Sequence, residues 1–115
     1  MRKVAVVGVG QTKFGEHWDK SLRDLAGEAG NAAILDSTLD RKSIEMLYVG
    51  NMAGGKFASQ EHLGALVATQ LGLAPIPATR VEAACASGAT AVPENLSLSC
   101  LPGLATGSGR VEARG

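Results

Sequence analysis

The sequence predicts an α/β fold, a layered domain with a mostly parallel sheet in the order β-α-β-α-β-α. Three observations carry this. Short apolar, β-branched runs alternate with segments whose apolar residues recur at helical spacing. Hydrophobic residues make up 45% of the 115 residues but aromatics only 3%, so the core must be built from Val, Ile, Leu and Ala. That suits helices on a sheet better than an aromatic-rich sandwich. Glycine is abundant at 15 residues, roughly twice the usual ~7%, as tight turns and close backbone packing require.

The first strand is expected over Lys3-Val-Ala-Val-Val-Gly8, a short run apolar on both faces. Gly8, Gly10 and Gly15 then space a loop. Ser21 is placed to cap the first helix, with Asp24 as a capping-box partner three residues on. Leu22, Leu25, Ala26, Ala29 and Ala33 follow helical spacing, and Gly27 and Gly30 suit close packing onto a sheet. The helix is expected to end at Ser37–Asp40. Glu45-Met-Leu-Tyr-Val49 reads as the second strand, and Gly50, Gly54 and Gly55 mark a turn-rich loop. A second helix is expected to be capped by Ser59, to align Leu63, Leu66, Val67 and Leu71, and to stop at Gly72. Ile76–Val81 forms the third extended segment, and Ala83–Val92 a turn entering a third helix. Pro93 disfavours its continuation. Beyond it neither period is sustained, so 93–115 is expected to be an irregular tail.

Equal numbers of basic and acidic residues, 11 each, leave no positive excess to neutralise phosphates, which argues against a nucleic-acid partner. No run approaches the ~18 apolar residues of a membrane span. Arg2 and Lys3 precede too short an apolar run for a signal peptide. Two cysteines, Cys85 and Cys100, make no disulfide framework and have no partners at metal-ligand spacing, so no metal is expected. The expectation is a cytoplasmic protein.

Three chemical candidates stand out. Val7-Gly8-Val9-Gly10-Gln11-Thr12-Lys13 resembles the start of a dinucleotide loop, but Lys13 stands where the third glycine belongs and no helix follows at once. A tight exit from the strand is the alternative. Cys85 sits where a strand meets a helix, among Ala84, Ala86 and Gly88. A thiol at a helix start feels unpaired N–H groups that favour the thiolate, and those N–H groups suit a developing oxyanion. A buried, inert cysteine is the bland alternative. His17 and His62 are the available bases, or else surface residues. Glu82 either buttresses the turn by accepting backbone N–H bonds or is simply solvated.

Arg80-Val-Glu-Ala-Ala-Cys85-Ala-Ser-Gly-Ala resembles the nucleophile segment of the thiolase family, especially archaeal and bacterial enzymes close to the sterol-carrier-protein thiolases. The opening Val-Ala-Val-Val-Gly8-Val-Gly10-Gln-Thr-Lys-Phe14-Gly15 is similar too, as are Ser21-Leu-Arg-Asp-Leu-Ala26 and Tyr48-Val-Gly-Asn-Met52. The resemblance implies a partial thiolase N-terminal half over 1–92. It implies an acyltransferase of the acetyl-CoA C-acetyltransferase type, in which Cys85 attacks an acyl-CoA thioester and becomes acylated. The acyl group would then pass to a second acyl-CoA, or to CoA in reverse. Coenzyme A thioesters are expected as substrate and no cofactor as a permanent guest. The family's histidine and second-cysteine motifs are absent, and Cys100 lacks their context. Loss of resemblance and periodicity together after Val92 suggests a truncated or frameshifted reading over 93–115. The family also implies a homo-oligomer. The rival reading is a non-catalytic remnant or binding subunit that associates with a complete thiolase or synthase.

Overall fold

The computed structural model describes residues 5–92 and Ser108–Gly109. In chain order the elements are β1 (Gly8–Val9), α1 (Leu22–Ser37), a 3-10 turn (Arg41–Ser43), β2 (Leu47–Gly50), α2 (Gly54–Ala58) and α3 (Leu63–Gln70). There follow β3 (Ala78–Val81), a second 3-10 turn (Ala84–Ala86), α4 (Ser87–Thr90) and β4 (Ser108–Gly109). β2 and β3 pair in parallel, with Leu47 opposite Ala78 and Gly50 opposite Val81. β1 pairs antiparallel with β4, so Gly8 faces Gly109. The expected mixed α/β architecture with a parallel sheet is present.

α1 forms as its sequence dictates. The Ser21 side chain accepts from the Asp24 N–H at 3.1 Å, and the Asp24 carboxylate accepts from the Ser21 N–H at 2.8 Å. Both arms of the capping box are therefore closed. Thr38 ends the helix in the left-handed conformation at φ 59°. One face of α1, including Ala26, Ala29, Ala33 and Ile34, is buried. The Ser21 backbone N–H, then its hydroxyl, holds the Asp24 carboxyl below its ordinary value of 3.8. A carboxyl lowered by folding contributes stability above its unfolded value and loses it as pH falls through the lowered one. An acid titration of stability should thus show Asp24→Asn losing part of the wild-type decline below pH 3.8, read as a shallower fall in melting temperature.

The core joins α1 and α3 to the inner face of the sheet. Leu47, Val49 and Leu63 are fully buried, with Val67, Ala68, Leu71 and Ile44 packed around them. No aromatic belongs to this buried cluster. Phe14, Trp18 and Phe57 are exposed, as the aliphatic composition anticipates. Arg41 closes the end of α3 by donating to the Leu71 carbonyl at 2.7 Å, while its other nitrogen donates to Asn31. Gly72 follows at φ 68°, the expected stop.

Several expectations are corrected. Lys3 and Val4 lie outside the described residues, and the strand in the described part is only Gly8–Val9, beside β4 and not in the parallel sheet. Gly8 and Gly10 serve packing against α1. A Cβ on Gly10 would strike the Ala29 carbonyl and lie 2.8 Å from the Ala32 Cβ. One on Gly8 would lie 2.7 Å from the Ser37 nitrogen. The Val9 N–H then donates to Asp36 at 2.9 Å. The glycine loop is thus occupied by a helix, which answers the dinucleotide alternative with packing. Gly30 meets the Leu71 side chain and Gly27 meets Gln70, so these glycines admit α3's end and not a sheet. Ser59 does not cap the second helix. It closes a short additional helix, α2, in the left-handed conformation, and His62 precedes α3 with no side-chain cap. The third helix is a single turn, α4. Cys100 and the rest of 93–115 lie outside the described residues, apart from Ser108 and Gly109.

Candidate functional site

The region of interest lies where β2 and β3 end. In open α/β sheets the crevice beyond the carboxyl ends of parallel strands is the usual ligand position. Beyond β3 the chain must turn sharply into α4. Ala83 stands at φ −152° and ψ 51°, outside both the extended and the helical regions. Ala84 sits in the left-handed region at φ 48°, which costs a residue with a Cβ about 1 kcal/mol. Cys85 follows directly and is exposed. It therefore occupies the second position of a 3-10 turn, not the first turn of a long helix. With only Ser87–Thr90 behind it, the aligned peptides amount to one turn.

Side chains hold this turn. The Ser87 hydroxyl accepts from the Ala83 N–H at 2.9 Å and donates to the Ala84 carbonyl at 2.7 Å. The Glu82 carboxylate accepts from the Ala84 N–H, which realises the buttressing alternative for that residue. Ala86 donates to the Ala83 carbonyl at 2.9 Å. Among the described residues the Cys85 N–H meets no acceptor. Thr90 donates to the Ala86 carbonyl at 2.9 Å.

The floor of the turn is glycine. A Cβ on Gly50 would strike the Ser87 carbonyl oxygen and lie 2.8 Å from the Gly88 Cα. Gly50 is thus what lets the end of β2 touch the start of α4. Gly88, by contrast, faces open space. The loop after β2 is tied to the sheet by Arg80, which donates to the Met52 carbonyl at 2.8 Å, and by the Asn51 N–H, which donates to the Val81 carbonyl at 3.1 Å. The Asn51 side chain also accepts from the Gly54 N–H at 2.7 Å, starting α2.

The two histidines do not join Cys85. His17 Nε2 donates to the Lys13 carbonyl at 2.6 Å within its own loop. His62 is exposed ahead of α3. Neither forms a hydrogen bond with Cys85 among the described residues. Sequence reasoning singled out Cys85 and Glu82 but missed Ser87 and Gly50 as parts of the site. Ser87 carried a local signal, a small hydroxyl residue two positions beyond the cysteine in a turn. Gly50 carried only the mark of a loop, because its partner is distant in sequence. No group of three or more His, Cys, Asp or Glu among the described residues is placed to hold a metal ion, and no described helix is long and apolar enough to cross a membrane.

Residues 4–98 match the family described as Thiolase, N-terminal domain. Acetyl-CoA acetyltransferase of Methanothermobacter thermautotrophicus is 56% identical over 92 residues, covering 80% of this chain and 24% of that protein. The Methanocaldococcus jannaschii protein of the same name is 55% identical over the same shares. Sterol carrier protein 2 of Gallus gallus is 38% identical over 93 residues, 79% of this chain and 16% of that protein. The chain therefore spans about a quarter of the archaeal relatives' length. Among solved structures, AbyA1, a tetronic acid condensing enzyme, superposes with a TM-score of 0.57 at 22% identity over 64% of this chain and 24% of that one, a likeness of fold. By the family match over most of its length and by its archaeal relatives, the chain belongs to the thiolase family, through that family's N-terminal domain.

Proposed function

We propose that the chain supplies the nucleophile segment of a thiolase-type acyltransferase, with Cys85 accepting an acyl group from an acyl-CoA thioester. The observation that carries this reading is the exposed Cys85 in a held turn beyond the ends of two parallel strands, its own N–H without an acceptor among the described residues. The relatives named acetyl-CoA acetyltransferase support the reaction class. The Cys85 thiolate attacks the thioester carbonyl carbon, forming a C–S bond. The carbonyl oxygen becomes an oxyanion, to which the Cys85 N–H is available. Collapse expels the CoA thiolate and leaves the acyl group on Sγ. Transfer onward to a second acyl-CoA, or back to CoA, needs groups that handle a proton. Neither His17 nor His62 hydrogen-bonds to Cys85 among the described residues, and the competence proposed for this chain is the first half-reaction.

Incubation of the full chain with acetyl-CoA, followed by intact-mass analysis and peptide mapping, tests this. One acetyl group on the Cys85 peptide is expected. An unmodified Cys85 overturns it. The exposed Trp18, Phe14 and Phe57 side chains favour a second reading, a binding subunit that joins a complete thiolase or synthase. Under that reading acylation is absent and the chain co-purifies with such a partner.

A further inference from the structure

We propose that Ser87 is a positioning residue that aims the Cys85 amide at the oxyanion of an attacked thioester. This inference rests on the acyl-transfer reading and adds a residue and a mechanism to it. The Ala84–Cys85 peptide is planar and trans, so its carbonyl and its N–H point in opposite directions. Fixing one end fixes the other. Among the described residues the Ala84 carbonyl is held by Ser87 alone, through the hydroxyl at 2.7 Å and through the Ser87 backbone N–H. The Cys85 N–H at the far end of the same plane is thereby aimed and meets no acceptor among the described residues.

Two further observations single out Ser87 within the turn. Its hydroxyl also accepts from the Ala83 N–H at 2.9 Å, so one side chain grips both the Glu82–Ala83 peptide and the Ala84–Cys85 peptide. Ala84 has a Cβ and stands at φ 48°, where it would relax if released. Glu82 grips the same residue but is exposed, where water competes for its bond. Ser87 is only 5% exposed and its two bonds are part-buried, so water competes for them less than for the Glu82 bond. The empty space over Gly50 is what admits the Ser87 backbone to this position.

The test compares Ser87→Ala, Ser87→Thr and Thr69→Ala in the full chain with two reagents. Acetyl-CoA acylation passes through an oxyanion. Alkylation of Cys85 by iodoacetamide does not, and reads only thiol access and thiolate content. For Ser87→Ala the maximal acylation rate is expected to fall about 10- to 100-fold, as for an impaired oxyanion donor, with alkylation within about twofold of wild type. Ser87→Thr keeps a hydroxyl and is expected to recover most of the lost rate. Thr69→Ala removes an exposed hydroxyl from α3, outside the Cys85 turn, and is expected to acylate at the wild-type rate. Undiminished acylation in Ser87→Ala overturns the positioning role alone. Parallel loss of acylation, alkylation and helical circular dichroism in Ser87→Ala assigns the residue to general folding and overturns it as well. Failure of the unsubstituted chain to acylate overturns the acyl-transfer reading, and the positioning role falls with it.

Discussion

Replacing Cys85 with alanine is expected to abolish the acetyl adduct while leaving the fold intact. The two effects separate because the side chain is exposed and makes no core contact. Substitutions at such positions change stability by no more than about 0.5 kcal/mol, so the melting temperature should hardly move. The chemistry is different. A thiolate is the attacking species in the proposed reaction, and no methyl group can replace it. Loss of a nucleophile removes the covalent route altogether, so adduct formation should drop by at least about 10³-fold. Cys100 supplies the internal control, since it is the other thiol in the chain. If acetyl-CoA acylates thiols here without selection, Cys85→Ala will retain an adduct that maps to Cys100. A selective site loses it entirely. Intact-mass time courses on the two proteins, with peptide mapping of any residual product, decide the matter.

What the sequence made legible was local. Ser21 and Asp24 are three residues apart, and their capping box closes as the spacing requires because both partners belong to one turn of chain. Thr38 and Gly72 end their helices near the expected stops for the same reason. Glu82 lies two residues from the N–H it accepts. The errors were of two kinds. Ser59 has the chemistry of an N-cap, yet the Gly54–Ala58 turn of helix ahead of it claims it as a C-terminal residue. Propensity does not distinguish which neighbouring helix uses a residue. The others needed contacts across the chain. Gly8 and Gly10 left a dinucleotide loop and a tight strand exit both open until α1 is seen pressed against them, and Gly50 read only as part of a turn-rich loop. Close approach depends on two backbones, and periodicity reports only one. At the site, the thiol was visible as a residue type and its setting was not. The family resemblance pointed to Cys85, whereas the Ser87 hydroxyl and the Gly50 floor came into view only with the turn geometry.

Gly50→Ala should damage both stability and acylation, through a single added methyl. No unusual torsion is involved, since Gly50 does not stand in the left-handed region. The constraint is space. The new Cβ would overlap the Ser87 carbonyl oxygen, lie 2.6 Å from the Ser87 carbonyl carbon and 2.8 Å from the Gly88 Cα. All three are backbone atoms, so no side-chain rotation relieves them. α4 must therefore move off the end of β2, or β2 must leave its register with Val81. Overpacking of this kind costs about 1–3 kcal/mol. The displaced segment contains Ser87, whose hydroxyl holds the Ala84 carbonyl, so the Cys85 turn moves with it. A displacement near 1 Å at a reacting group lowers rates by about 100-fold, and the acylation rate should fall on that order. Gly88→Ala is the matched control for stability. It adds the same methyl one element away, where a Cβ meets open space, and replaces glycine within a helix, so it should stabilise by up to about 1 kcal/mol. Thermal melts of the two variants should therefore shift in opposite directions. A Gly50→Ala protein that melts and acylates like wild type would show that β2 and α4 do not meet as closely as the Cys85 turn requires.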